Sequence, residues 1–151
     1  MTRVLFVCSS GGHLDQLLAL MPAPPGVDVA FATFRKPHAL QKVEQYRVHG
    51  LAWPTNRSLR ALALNLVIAV RALRRERPQL VVSSGAAAAV PFFWVGKVLF
   101  RTTNVFIECI DRIDNPTLTA RLVRPVTDRF ITQWDGQLDG FPRRTRVRQS
   151  R

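Results

Sequence analysis

The 151-residue sequence is poor in several residue types, and each scarcity narrows what the chain can be. Its two cysteines, Cys8 and Cys109, lie in apolar runs and form no C-x-x-C pair. We therefore expect small buried hydrophobes in a reducing compartment, not a disulfide framework. The three histidines are too scattered in the pattern to predict a metal site, and no cofactor is predicted.

Known leader and nucleotide motifs are also missing. No signal peptide precedes the first predicted strand, because Met1-Thr2-Arg3 leads straight into it, so a cytoplasmic location is expected. There is no G-x-G-x-x-G fingerprint, no P-loop lysine and no nucleophile elbow. A stand-alone Rossmann-type nucleotide-binding protein is thereby disfavoured, although it stays open as an alternative.

Acidic residues are scarce as well. Ten acids stand against 22 lysines and arginines, which gives a formal net charge of +12. Such an excess predicts an anionic partner, which is nucleic acid, an anionic membrane surface or a phosphorylated substrate. The arginines are scattered and no recognisable nucleic-acid motif occurs, so a nucleic-acid-binding module is the second alternative and no nucleic-acid partner is predicted.

What the chain does contain is a regular alternation of apolar runs and helical patterns. The predicted strands are 3–8, 27–33, 48–52, 79–83, 104–110 and 128–134. The predicted helices are 13–20, 37–46, 59–77, 86–100 and 116–124. This alternation predicts an α/β, Rossmann-like, three-layer domain with a mostly parallel sheet of order 3-2-1-4-5-6. The domain is expected over residues 1–135, and residues 136–151 are expected to form a flexible basic tail.

Ligands of such sheets bind beyond the carboxyl ends of the strands, where three segments are candidates. In the first, Ser10, Gly11 and Gly12 allow a ligand close to the backbone, and His13 is a candidate general base. The alternative for the loop is a tight turn with a capping serine, and the alternative for His13 is a structural hydrogen bond. The second segment holds Ser84, Gly85 and Ala86, whose small size also suits close helix–sheet packing.

The third segment follows the fifth predicted strand. Glu108 lies within an apolar run and needs a partner if it is buried. Asp111 and Asp114, a few residues later, are more simply explained as solvated acids.

Taken in order, these motifs resemble one family. The segments FVCSSGGHLDQLL, WPTNRSL, SSGAAAAVPFFWVGK, VFIECIDRID and DRFITQW are similar to PssD-type exopolysaccharide glycosyltransferase subunits. Those proteins are relatives of the membrane-anchoring subunit of the eukaryotic dolichol-linked N-acetylglucosaminyltransferase. The similarity covers nearly the whole chain, from Arg3 to about Asp135. The sequence departs from the family in the ECIDRID stretch and in the arginine-rich end.

The resemblance implies half of a GT-B glycosyltransferase, similar to the N-terminal domain of MurG. It implies a heterodimer whose other subunit binds the UDP-sugar donor, while this chain supplies the acceptor side of the cleft and the membrane attachment. The sugar would pass to a polyprenyl-pyrophosphate-linked saccharide. Gly11, Gly12 and His13 would line the cleft, with Ser84, Gly85 and Ala86 as its second loop and Glu108 at the next strand end.

The membrane contact is expected at the inner face of the plasma membrane. Both long apolar stretches, 61–70 and 86–100, are shorter than the ~20 residues of a spanning helix. Buried core helices are the simpler explanation for both. The functional alternative is an interfacial patch with aromatic residues among basic ones. Its predicted members are Phe92, Phe93, Trp94, Lys97 and Arg101.

Overall fold

The computed structural model describes residues 1–54, 58–108, 117–132 and 146–148. Strands and helices alternate through these ranges. The strands are β1 (Thr2–Val7), β2 (Val27–Thr33), β3 (Arg47–Gly50), β4 (Leu80–Ser83), β5 (Thr103–Ile107), β6 (Arg129–Thr132) and β7 (Arg146–Arg148). The helices are α1 (Gly12–Leu18), α2 (Pro37–Lys42), α3 (Leu59–Glu76), α4 (Ala89–Val95) and α5 (Leu118–Val123). A π-helical turn, Gly96–Phe100, continues α4, and a 3₁₀ turn, Arg124–Val126, continues α5.

The strands form one sheet of order β3-β2-β1-β4-β5-β6-β7, and every neighbouring pair is parallel. The predicted order of the first six strands is confirmed. Strand β7 was not predicted. It lies inside the segment expected to be a flexible tail and pairs with β6, and the boundary of that tail stays a prediction.

Both faces of the central strand β1 are covered, which explains its unbroken apolar sequence. Leu5 and Val7 belong to a core that includes residues of α3, α4 and α5. Val4 and Phe6 belong to the opposite core, which includes residues of α1 and α2. The second face also carries an apolar groove of about 280 Å³, with Leu80, Val105 and Ile131 among its lining residues. The three-layer α/β architecture is thus confirmed.

The longest helix, α3, packs with its small residues inward. Ser58 caps it by accepting a hydrogen bond from the Ala61 amide at 3.2 Å, the usual role of a serine just before a helix. Its buried positions include Ala61, Asn65, Ala69 and Ala72. Asn65 forms two hydrogen bonds with the backbone of Ala52, one to its N–H at 2.9 Å and one to its carbonyl at 3.2 Å. The loop before the helix is thereby joined to it.

Large apolar side chains occupy the solvent side of α3, which is the reverse of an ordinary amphipathic helix. Leu59 is 83% exposed, and the other members are about half exposed. They are Leu62, Leu64, Leu66 and Val67. Monomeric proteins rarely expose so many apolar side chains in one patch, so this face is a candidate interaction surface.

Candidate functional site

The three predicted segments lie side by side at the carboxyl edge of the sheet. Strand β4 pairs with β1 on one side and with β5 on the other. The segment after β1 therefore lies next to the segment after β4, and Glu108 follows β5 directly. Parallel pairing alone explains this arrangement, because it brings the carboxyl ends of consecutive strands to one edge.

The first two segments interlock through His13. The hydroxyl of Ser84, which is fully buried, donates a hydrogen bond to the His13 carbonyl at 2.8 Å. The imidazole of His13 packs on Gly85, where an added β-carbon would lie 2.7 Å from its Cε1. Gly85 has a φ of +128°, a conformation that side-chain-bearing residues rarely adopt. Glycine is therefore required at position 85 for two reasons: it tolerates this backbone conformation, and it leaves room for the His13 ring.

Ala86 continues the unusual backbone of the second loop. Its φ is +82°, in the left-handed region that alanine avoids. Glycine tolerates its positive φ at position 85, so the backbone strain in this loop at the carboxyl edge of the sheet is carried by Ala86. Such strain persists only where the surrounding structure holds it in place, and it is common in binding sites.

The first loop is open above its glycines. Gly11 and Gly12 are exposed, and a β-carbon added at either would meet no other atom within 4 Å. Ser10 is buried, and its carbonyl lies 2.9 Å from the Nε2 of His38. The loop is thus anchored below while its glycine backbone remains accessible to a ligand.

Glu108 is buried at the end of β5 with only 1% of its surface exposed. The Thr117 hydroxyl donates to its Oε1 at 3.4 Å, which supplies a partner for the buried carboxyl. The Gln16 amide donates to its backbone carbonyl at 3.3 Å. Since Gln16 is on α1, this contact joins the first helix to the carboxyl end of β5.

Cys8 lies just before the first loop and has no nucleophilic character. Burial raises the pKa of its thiol to about 12, although a hydrogen bond with Thr33 opposes the shift. A thiol with this pKa stays protonated at neutral pH. The prediction of a buried small hydrophobe is confirmed for Cys8. The other predicted cysteine, Cys109, and the two acids Asp111 and Asp114 lie outside the described residues.

The predicted membrane patch needs correction. Phe92 and Phe93 are fully buried, so the prediction that they contact a membrane is wrong. Their face of α4 packs on the sheet, and the Phe93 ring contacts that of Phe106 edge-on at 6.1 Å. Trp94 points outward and is 41% exposed.

The other members of that patch lie on the surface. Lys97 forms an ion pair with Asp128 at 2.5 Å, so part of its charge is already neutralised. Arg101 is exposed and ends the π-helical turn. Val98 and Leu99, between them, are 65% and 63% exposed. The apolar surface of this region is therefore the π-helical turn and not the phenylalanine pair.

Three residues around the site were not anticipated from the sequence. These residues are His38, Gln16 and Thr117, none of which belongs to a segment proposed as a candidate site. A turn-to-turn contact such as that of His38 with the Ser10 carbonyl leaves no local pattern. The buried position of Glu108 was the one usable signal, because a buried carboxyl demands a nearby donor.

Neither a metal cluster nor a spanning helix occurs in the described part of the chain. No group of three or more His, Cys, Asp or Glu residues in those ranges is arranged to hold a metal ion. No helix there is both long and apolar enough to cross a bilayer.

Comparison with solved structures identifies the fold. Acinetobacter baumannii MurG superposes with a TM-score of 0.73 at 14% identity, over 99% of this chain and 46% of that chain. The UDP-GlcNAc 2-epimerase of Neisseria meningitidis, solved with UDP-GlcNAc bound, gives 0.74 at 12% identity, over 97% and 45%. The predicted equivalence to the N-terminal half of a GT-B glycosyltransferase is confirmed as a fold.

Sequence relatives share one name. A Yarrowia lipolytica protein, UDP-N-acetylglucosamine transferase subunit ALG14, is 23% identical over 142 residues. The match covers 89% of this chain and 62% of the relative, so the chain spans less than two thirds of that protein. The Mus musculus protein of the same name is 24% identical over 178 residues, covering 93% and 79%. Residues 30–148 match the family described as "Oligosaccharide biosynthesis protein Alg14 like", and the chain belongs to that family.

Proposed function

We propose that this chain is the acceptor-side subunit of a two-component glycosyltransferase of polysaccharide biosynthesis, of the PssD type. Its partner would carry the donor-binding half of the cleft. The enzyme would move a sugar from a UDP-sugar to a polyprenyl-pyrophosphate-linked saccharide at the inner face of the plasma membrane. The relatives' name makes UDP-N-acetylglucosamine the first donor to test.

The observation that carries the proposal is the interlocked pair of loops at the sheet edge. His13 is held by Ser84 and Gly85, while Gly11 and Gly12 stay open beside it. The held imidazole and the accessible glycine backbone support a binding surface at this edge in preference to a turn that merely closes the chain. The chain superposes on 46% of the MurG chain, which is consistent with one component of a two-component enzyme.

The chemistry assigned to this surface is acceptor binding and proton transfer. The exposed backbone of Gly11 and Gly12 lets phosphate oxygens approach the N–H groups of the first loop. His13 is our candidate for the base that removes the proton of the acceptor hydroxyl as the sugar is transferred. Its hydrogen-bonded main chain and packed ring would keep the imidazole oriented.

Attachment to an anionic membrane is the second part of the proposal. The apolar side of α3 lies in the same helical layer as the exposed residues of the π-helical turn and α5. Leu118 on α5 is 71% exposed. No acid occurs between Leu59 and Arg75, whereas Arg60, Arg71 and Arg74 are exposed there. Apolar side chains among arginines are what an anionic interface binds.

The decisive experiment is reconstitution. The chain is co-expressed with a candidate donor-binding subunit from the same source, and transfer from radiolabelled UDP-N-acetylglucosamine to a polyprenyl-pyrophosphate-linked sugar is measured. We expect transfer by the pair, none by either chain alone, and a loss of about 100-fold or more for His13→Ala if it is the base.

Two results would contradict the proposal. Transfer by this chain alone would exclude the two-component arrangement. A pair that forms a stable complex yet leaves every UDP-sugar intact, in the presence of the lipid acceptor, would exclude the transferase assignment. Unaltered activity of His13→Ala would reject His13 as the base while leaving the subunit assignment in place.

A further inference from the structure

A basic groove runs along the edge of the sheet between β3 and the second half of α3. Its volume is about 370 Å³, and none of the predicted cleft residues lines it. Four arginines from three segments converge on it, namely Arg35, Arg47, Arg71 and Arg75. Among the described residues, Glu76 is the one carboxylate in its lining.

That carboxylate is already neutralised. Glu76 is buried and accepts a hydrogen bond from the Arg47 Nε at 2.9 Å, and its other oxygen lies 2.8 Å from the His49 Nε2. Burial alone would raise the pKa of Glu76, but the hydrogen bonds with His49 and Arg47 outweigh it and hold that pKa below its ordinary value. Arg47 also donates to Asp28 at 2.7 Å. Glu76 and Arg47 therefore already have hydrogen-bond partners of opposite charge within the protein.

The other three groove arginines form no ion pair with a described residue, so their guanidinium groups are available to a ligand. Within the described ranges, no carboxylate lies within ion-pair distance of Arg35, Arg71 or Arg75. Arg71 and Arg75 are four residues apart on α3, where two like charges face each other and destabilise the helix. A bound anion would turn this repulsion into attraction.

Gly50 gives the groove its shape. A β-carbon at this position would collide with the Nε, Cδ and Cγ of Arg35, and these are its three nearest atoms. The φ of Gly50 lies outside the left-handed region, so the backbone itself does not require glycine. The missing side chain at the end of β3 is therefore what lets the Arg35 side chain lie across the groove.

We infer that this groove is a phosphate-binding site separate from the cleft. Guanidinium groups bind phosphate through paired, charge-assisted hydrogen bonds. Three of them converge here, and no carboxylate of the described ranges lies within ion-pair distance of any of the three. The ligand is a phosphate ester, supplied either by a soluble metabolite or by a lipid headgroup.

The test compares variants that alter the groove with variants that alter only the charge. Arg71→Gln with Arg75→Gln removes two groove arginines. Arg60→Gln with Arg74→Gln is the matched control, since it removes two exposed arginines of the same helix outside the groove. Gly50→Ala keeps the net charge and displaces only Arg35. Binding of inorganic phosphate and glycerol 3-phosphate is followed by ³¹P NMR and calorimetry, with circular dichroism to confirm folding.

We expect the groove pair to bind glycerol 3-phosphate about tenfold more weakly or worse, since each charge-assisted hydrogen bond contributes on that scale. Gly50→Ala should weaken binding several-fold, and the control pair should stay within about twofold of the unaltered chain. The inference is overturned if the unaltered chain binds neither phosphate compound, if the control pair loses as much affinity as the groove pair, or if Gly50→Ala binds normally.

A second measurement identifies the source of the phosphate. Gly50→Ala is bound to phosphatidylcholine vesicles with and without phosphatidylglycerol. A loss of binding to the anionic vesicles, alongside the loss in solution, supports a lipid headgroup as the ligand. A loss in solution with unchanged vesicle binding supports a soluble phosphate ester.

Discussion

The imidazole of His13 occupies the space that the β-carbon of any other residue at position 85 would need. An added β-carbon at Gly85 would lie 2.7 Å from Cε1 and 3.1 Å from Nδ1 of that ring. The two residues are far apart in sequence: His13 is the second residue of α1, which follows β1, and Gly85 lies in the loop after the adjacent strand β4. Their contact makes the two loops a single unit.

Gly85→Ala should therefore destabilise the protein and disturb the site together. The backbone conformation at φ +128° alone costs about 1–3 kcal/mol for a residue with a side chain, and the His13 ring must also move. Denaturant unfolding measures the loss of stability. Gly12→Ala is the matched control, since a β-carbon there meets nothing within 4 Å. Equal stability of the two variants would show that the contact is unimportant.

Ala86→Gly should have the opposite effect on the folded state. Alanine at φ +82° carries about 1–2 kcal/mol of strain, which glycine would relieve. Glycine also gives the unfolded chain more freedom, so part of this gain is lost. We expect a net stabilisation of up to about 1 kcal/mol in denaturant unfolding. Ala87→Gly serves as the control, because Ala87 has no positive φ and should only lose stability.

Glu76→Gln should lower stability at neutral pH by about 1–3 kcal/mol, the usual contribution of a charge-assisted hydrogen bond. The folded pKa of Glu76 lies below its ordinary value of 4.5. Its stabilising contribution is therefore complete above about pH 4.5 and is lost as the pH falls through the lower folded pKa. The difference between variant and unaltered chain should narrow on acidification, as measured by urea unfolding from pH 7 to pH 3.

The exposed carboxyl of Glu44 provides the comparison for that series. Glu44→Gln should show no such gap at neutral pH. A gap for Glu76→Gln that stays constant down to pH 3 would mean that the ion pair does not account for it.

Serine at Leu59, Leu66 and Val67 together should weaken binding to anionic vesicles about ten- to hundredfold, because each side chain contributes apolar area to the interface. Folding should be unaffected, since all three side chains are on the outer side of α3. Sedimentation with liposomes at low salt measures the effect. Leu20→Ser is the control, because Leu20 is 44% exposed but lines the groove on the other face of the sheet. Equal binding by the triple variant would exclude α3 as the contact.

Local patterns were sufficient to predict most of the fold. Unbroken apolar runs such as Val4–Val7 occur where a strand is covered on both faces, and helix signals such as Ser58 lie close to the observed ends. Strand β7 escaped prediction because three residues, Arg146–Arg148, carry no apolar period. Its pairing with β6 is a contact between segments distant in sequence.

For the candidate site, the sequence predicted which segments meet at the edge of the sheet, because that follows from the strand order. Parallel strands bring Ser84 and Glu108 to the edge where His13 lies, and that followed from the pattern. The side on which a helix is buried did not follow. Phe92 and Phe93 are core residues, while Leu59 and Leu64 face solvent. Hydrophobicity alone assigns both sets to the interior. In the structure, α3 instead buries a face that includes Ala61, Ala69 and Ala72.

The orientation of α3 has a geometric consequence for the proposed enzyme. The helix begins beyond the carboxyl end of β3, at the level of the cleft, and its 18 residues extend about 27 Å toward the opposite edge of the sheet. If this side rests on a bilayer, the strands run along the membrane plane and the cleft opens sideways above the headgroups. The subunit would then receive its acceptor laterally, and the height of the cleft above the lipid would limit how long a lipid-linked saccharide it can extend.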